Sequence, residues 1–411
     1  MTEKPTIDGD RLWSDLTTMA AIGATAGGGS HRAALGDADR EGRNLFALWA
    51  GEAGLTITAD RIGNLSARRE GLDPDLAPVV IGSHLDTQTP GGRFDGVLGV
   101  LAGLELVRAL NRAGHTTRRP LEVAVWTNEE GARFQPGLMG SSVFAGDMAL
   151  ADALAATDRS GATVAGELAR LGLAGPLEPG RPIDSYFELH IEQGPILEQK
   201  GIPIGLVTNS SWGCSGFVEI RGENGHTQTE AMSRRRNALV GAARLILEID
   251  VIGAAAEPDG MVGASMIDVA PNNRVNIPHH ARLGFAVTHA TRDGREAMIA
   301  RIGAAVDRMI RETGLDATLT TAFRRDRLDF SPELRDRAGT AATALGLDVL
   351  EMPTLTAHDA LAIHRVAPVA ILFVPCRDGV SHNEKEWCEP RWATDGARVL
   401  LDTVVAHADR R

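Results

Sequence analysis

Apolar positions recur along this chain in two rhythms. Helical spacing governs Ile7–Ala21 and Ala38–Ala53, which are separated by the small-residue run Gly23–Gly29. Leu55–Arg69 instead alternates around a Gly-Asn turn and predicts a hairpin. Four short, mainly apolar runs read as buried strands: Ala77–Ile81, Leu121–Thr127, Tyr186–Ile191 and Val369–Val374. Between the first two lies Gly96–Gly114, with apolar residues at 97, 100, 101, 104 and 107 and a glycine at its end, a helix with a stop signal. Helical material continues to about Gly172. Strands alternating with helices predict an α/β layer.

From about Ser215 the rhythm changes. The pattern reads strand Gly216–Arg221, helix Met232–Ile249, strands Met261–Val269 and Ala281–His289, helix Glu296–Glu312 and strand Ala317–Phe323. That order is βαββαβ, a ferredoxin-like sandwich. It falls between the third and fourth buried strands, so it is expected as an insert at 213–325 within a main domain of 1–212 and 326–411. An exposed edge strand and helix face on such an insert suit dimerisation.

Length supports two domains, since 411 residues exceed one ordinary core. A net charge of −12 argues against nucleic acid or an anionic membrane as partner. Cys214, Cys376 and Cys388 make neither a disulfide framework nor a CxxC metal site. The opening MTEKPTIDGDRLW has no apolar leader and no run approaches spanning length, so a cytoplasmic location is expected.

The chemistry gathers at strand ends. His84, Asp86 and Asp95 follow the first buried strand, Glu129 and Glu130 the second, His190 and Glu192 close the third, and His382 follows the fourth. Ligands of open α/β sheets bind outside the carboxyl ends of the strands. Imidazoles and carboxylates suit a divalent metal, so a metal site built from these four loops is expected.

Five segments carry a resemblance: GSHLDTQTPGGRFDGVLGVLAGLE, TNEEGARF, LMGSSVFAG, ELHIEQGPILE and FVPCRDGVSHNEKEW. In this order they resemble the dimetal amidohydrolases of the M20 metallopeptidase superfamily. The branch is that of N-carbamoyl-L-amino acid hydrolases, β-ureidopropionases and allantoate amidohydrolases. The resemblance spans nearly the whole chain and implies a catalytic α/β domain with an inserted dimerisation domain, acting as a homodimer on a small amide or ureide. It implies two divalent ions, zinc first, with manganese, cobalt or nickel as alternatives. His84, Asp95 and His190 would hold one ion, and Asp95, Glu130 and His382 the other, with Asp95 as bridge. Asp86 would orient the His84 imidazole. Glu129 would be the general base that moves a proton from water to the leaving nitrogen. A non-proline cis peptide is implied just after Asp95.

In the insert, His226 of GENGHTQTEAM matches a histidine that serves the partner subunit's active site and stabilises an oxyanion. Asn276 and His358 match further active-site residues. Elsewhere the chain departs from the pattern. The family's H-A-G-T-T-P-M reads His226 to Met232 with Gln228 inside it, its T-G-I-Q-G glutamine aligns with Ser211, and its carboxylate-clamping arginine aligns with Thr288. Metal ligands and base are kept while substrate contacts change. The expected activity is therefore hydrolysis of a C–N bond in a linear amide or ureide by a diverged pocket that disfavours α-carboxylate substrates, unless Arg235 or Arg274 relocates the clamp. The competing readings are an N-carbamoyl-L-amino acid or allantoate hydrolase, an aminoacylase or dipeptidase, and a non-catalytic metal-binding relative.

Overall fold

A strand that is apolar on both faces needs cover on both sides, and the chain supplies it. The computed structural model describes residues 4–410 and divides into two units, one running to Asn209 and resuming at Asp329, the other Ser210–Leu328. The insert borders drawn from sequence lie a few residues inside this division.

In chain order the first unit contributes β1 (Thr56–Ala59), β2 (Leu65–Arg69), β3 (Val79–His84), β4 (Leu121–Trp126), β5 (Ser185–Ile191) and β6 (Ile204–Ser210). The second unit holds β7 (Trp212–Arg221), β8 (Gly225–His226), β9 (Gly260–Ala270), β10 (Asn276–Ile277), β11 (His280–His289) and β12 (Asp316–Arg325). The chain then returns for β13 (Val349–Thr354) and β14 (Val369–Val374).

The first unit is built on an eight-stranded sheet of order β1-β2-β4-β3-β5-β14-β6-β13. Its centre, β4-β3-β5-β14, is parallel throughout, so four carboxyl ends emerge along one edge. Every residue of these four strands is buried. The helix Val97–Arg112 covers β3 and buries Val97–Leu110 except Arg108, as expected of a helix apolar on most sides. Its one buried acid, Glu105, is closed by Arg11 at 2.7 Å and Arg112 at 3.0 Å. Helices Gly9–Ala21 and Pro390–Ala408 pack against the same helix. No described helix is long and apolar enough to cross a membrane.

The second unit is an antiparallel sheet of order β12-β7-β11-β9, the 4-1-3-2 arrangement of a ferredoxin-like βαββαβ chain. Helices Ala238–Ala254 and Arg292–Thr313 close one face over Val218, Ile220, Leu245, Leu283 and Ile302. The helix expected from Met232 begins instead at Ala238. Met232–Arg234 forms a single 3₁₀ turn, and the Asn237 side chain accepts from the Leu239 and Val240 amides to cap the helix proper.

Candidate metal centre

The parallel edge gathers its polar groups around one carboxylate. Asp95 sits on the loop after β3, 3 % exposed, with His190 Nε2 at 3.0 Å and His84 Nε2 at 3.6 Å from its Oδ1, and His382 Nε2 at 3.1 Å from its Oδ2. The Glu130 carboxylate reaches His382 Nε2 at 3.4 Å. Two donor groups result, His84–Asp95–His190 and Asp95–Glu130–His382, sharing Asp95. The two imidazoles on Oδ1 have their other nitrogens taken by backbone: His84 Nδ1 lies 2.8 Å from the Asp86 carbonyl and His190 Nδ1 2.9 Å from that of Ile191. With Nδ1–H donating there, each Nε2 is turned toward Asp95, where it donates a proton to the carboxylate and would give its lone pair to a cation in the proton's place.

The charge balance also fits cations. Burial would raise Asp95, but hydrogen bonds from His190, His382 and His84 outweigh it and hold it well below the usual range. Burial raises Glu129 well above the ordinary range, reinforced by Asp359, Glu130 and Asp95 against the pull of His84. Glu130 is pushed up to about 7 by burial and by Asp95. Among the described residues no lysine or arginine pairs with Asp95, Glu129 or Glu130. A third donor group, Glu188–His190–His358, fits an ion less well. Glu188 already accepts from Ser83 Oγ and the Ala360 amide, and His358 Nε2 lies 3.0 Å from both the Thr354 and Thr356 hydroxyls.

Two details differ from expectation. The Asp86 carboxylate stands 4.0 Å from His84 Nδ1, so the Asp86 carbonyl rather than its side chain orients that ring. The carboxylate instead accepts from the amides of Glu129 and Glu130, both at 3.3 Å, fixing the segment that carries the two acids. The cis peptide implied after Asp95 is not found; among the described residues every cis bond precedes proline. Gly96 turns the loop with φ of +68° instead, and a Cβ there would meet the His84 ring at 2.4 Å.

Several residues in the quoted motifs were not singled out. Glu386, 1 % exposed, accepts from the amides of Phe94 and Asp95 at 2.9 and 3.1 Å and from Ser381 Oγ at 2.9 Å. Gln193 Nε2 donates to Asp95 Oδ2 at 2.9 Å. Both hold Asp95 rather than replace it. Asn128, Gln193 and His382 have positive φ, each on a loop leaving a parallel strand. Such backbone costs ~1–3 kcal/mol per residue and persists where packing over-determines it. Beneath the Asp95 loop that packing is Trp13 stacked on Phe94 at 5.5 Å, with Trp387 edge-on to both.

The first unit thus collects His84, Asp86, Asp95, Glu129, Glu130, His190, His358 and His382. The remaining candidates lie on the second unit. His226 of β8 and Asn276 of β10 are direct partners in a two-stranded ribbon, and His226 Nδ1 accepts from the Gln228 amide at 3.1 Å. Ser211 is 2 % exposed, its hydroxyl 2.6 Å from that of Thr288.

The profile of peptidase family M20/M25/M40 matches residues 80–406. An N-carbamoyl-L-amino-acid amidohydrolase of Rhizobium meliloti is 39% identical over 412 residues, covering 99% of this chain and 98% of that protein. A ureidoglycolate hydrolase of Arabidopsis thaliana is 32% identical over 88% of this chain and 78% of its own length. A solved amidase of the hydantoinase/carbamoylase family from Burkholderia vietnamiensis superposes with a TM-score of 0.96 at 41% identity, each chain covered completely.

Proposed function

Because this chain belongs to peptidase family M20/M25/M40, we propose that it is a dimetal amidohydrolase cleaving the C–N bond of a small linear ureide or amide. The observation that carries the reading is the Asp95 carboxylate, whose two oxygens each face a separate ligand group. Its relatives named as N-carbamoyl-L-amino-acid and ureidoglycolate hydrolases support a non-peptide substrate. The buried Glu129 speaks against a purely metal-storing relative.

His84, Asp95 and His190 would hold one divalent ion and Asp95, Glu130 and His382 the second. Bound there, such ions acidify water and polarise a carbonyl oxygen. Glu129, its Oε2 3.4 Å from His84 Nε2, accepts the proton of the attacking water and delivers it to the departing nitrogen as the C–N bond breaks. Asp86 keeps Glu129 and Glu130 in register through their amides, and Glu386 and Gln193 hold Asp95 still. The substitutions at Ser211, Gln228 and Thr288 mark the substrate pocket as diverged. Metal-loaded protein should hydrolyse a linear ureide or acyl amide, and lose that activity on chelation. No turnover across a ureide and acyl-amide panel with zinc, manganese, cobalt or nickel refutes the reading.

The same reading makes the protein a homodimer through its second unit. The edge strand β9 exposes Met261 and Ile267 on opposite sides of the sheet, and helix Ala238–Ala254 exposes Leu239, Val240, Leu247 and Val251, apolar positions suited to a second copy. If His226 serves the partner's centre, mixing His226→Ala with Glu129→Gln subunits yields heterodimers with one intact site. About a quarter of parental activity should then return in a fully exchanged mixture; verified exchange without recovery would dismiss the shared site.

A further inference from the structure

Arg325, half-buried, stands apart from the buried arginines. Arg43 closes on Asp39, Arg295 on Glu296 and Asp326, and Arg32 on the carbonyls of Met19, Ile22 and Leu85. Arg325 makes one side-chain bond, from Nη2 to Ser211 Oγ at 3.1 Å, and its buried Nε donates to nothing. No carboxylate pairs with it among the described residues, and burial alone lowers it to about 10. A guanidinium partly withdrawn from water without a counter-charge suits an anion that arrives to share the site.

The strand register explains how it came to lie there. Thr288 of β11 and Arg325 of β12 are both direct partners of Gly213 in β7, one on each side. Directly opposed residues point to the same sheet face. Gly213 leaves that face open between them, and a Cβ in its place would come into contact with Arg325 Nε at 3.4 Å. A bulge between Thr321 and Phe323 shifts β12 by one residue against β7. Without it Arg324 would oppose Gly213; with it, Arg324 turns to the other face and pairs with Glu296. Bulges re-aim side chains in this way.

We propose that Arg325, with the hydroxyls of Ser211 and Thr288, forms a carboxylate-binding subsite that sets specificity for an anionic ureide. It takes over, from the opposite neighbouring strand, the clamp missing at position 288. This rests on the amidohydrolase reading and reverses the expectation that α-carboxylate substrates are disfavoured. The two replacements considered from sequence serve less well: Arg235 donates to the carbonyls of Thr227 and Glu230, and Arg274 is exposed. The guanidinium fork accepts a carboxylate through two parallel bonds, which a single hydroxyl cannot do.

The test is calorimetric, on full-length zinc-loaded Glu129→Gln protein titrated with N-carbamoyl-L-methionine and with its carboxamide. Arg325→Gln in that background should weaken the acid about 10²-fold and leave the carboxamide within about twofold. Unchanged acid binding overturns the proposal, and so does parallel loss of both ligands, which indicates a merely structural arginine. Adding Thr288→Arg to Arg325→Gln should restore at least about tenfold in acid binding; a folded double variant, by near-ultraviolet circular dichroism, that restores none overturns it as well. A parent that binds the acid through Arg325 yet cleaves no ureide sinks the amidohydrolase reading and keeps the clamp. A parent that cleaves acid and carboxamide alike, indifferent to Arg325→Gln, sinks the clamp alone.

Discussion

The two ends of the parallel strands place the same residue types in opposite circumstances. At the amino end of β5, Asp184 is closed by Arg410 at 2.7 Å, His407 at 2.9 Å and Arg119 at 3.3 Å. At the carboxyl end, Asp95 meets three imidazoles and the neutral donors Gln193 and Ser381, with Glu129, Glu130, Asp86 and Glu386 crowded nearby. The chain provides cations of its own at the first end and withholds them at the second. A buried carboxylate cluster without arginine or lysine asks for positive charge from outside. One end therefore contributes to stability, and the other is prepared for metals.

The largest break in this comparison should come from the carboxyl end. Asp95→Asn removes the charge both ligand groups share, and metal content should fall with activity to background. Glu129→Gln should lower turnover about 10²–10⁴-fold while metal content stays near parental. Metal analysis showing equal depletion in both variants would erase the division between ligand and base.

How much of this was legible follows the same divide. The four central strands announced themselves because they are covered on both faces and so are almost wholly apolar. β6 and the edge strand β13 were not assigned, since Ile204–Ser210 and Val349–Thr354 mix polar and apolar residues without a clean period. The gathering of histidines and carboxylates at strand ends was readable, because each residue type is local to its loop. Glu386 and Gln193 were not, because they act by bonding to Asp95 from far along the chain. Arg325 was the least legible. Its place depends on a one-residue bulge and on two strand registers that no run of sequence displays.

The smallest effect, and the sharpest contrast, belongs to Asp184. Burial would raise this carboxyl, yet hydrogen bonds from His407 and Arg410 and the charges of Arg410 and Arg119 outweigh it and depress it well below the ordinary range. A depressed carboxyl contributes stability that is present above its unfolded value of about 3.9 and lost as pH falls through the folded value. Asp184→Asn should therefore cost about 1–3 kcal/mol at pH 7, the scale of charged hydrogen bonds left without their acceptor. The gap between variant and parent should narrow once the pH drops below about 4, where the carboxyl of the unfolded parent begins to protonate while the folded one is still ionised. Denaturant unfolding at pH 7 and at pH 3 measures both values. Metal content and kcat should not move, because these partners stand at the opposite end of β5 from His190. A loss of metal or turnover comparable to that of Asp95→Asn would mean that the two ends are not separable, and that the site draws its charge balance from the whole strand.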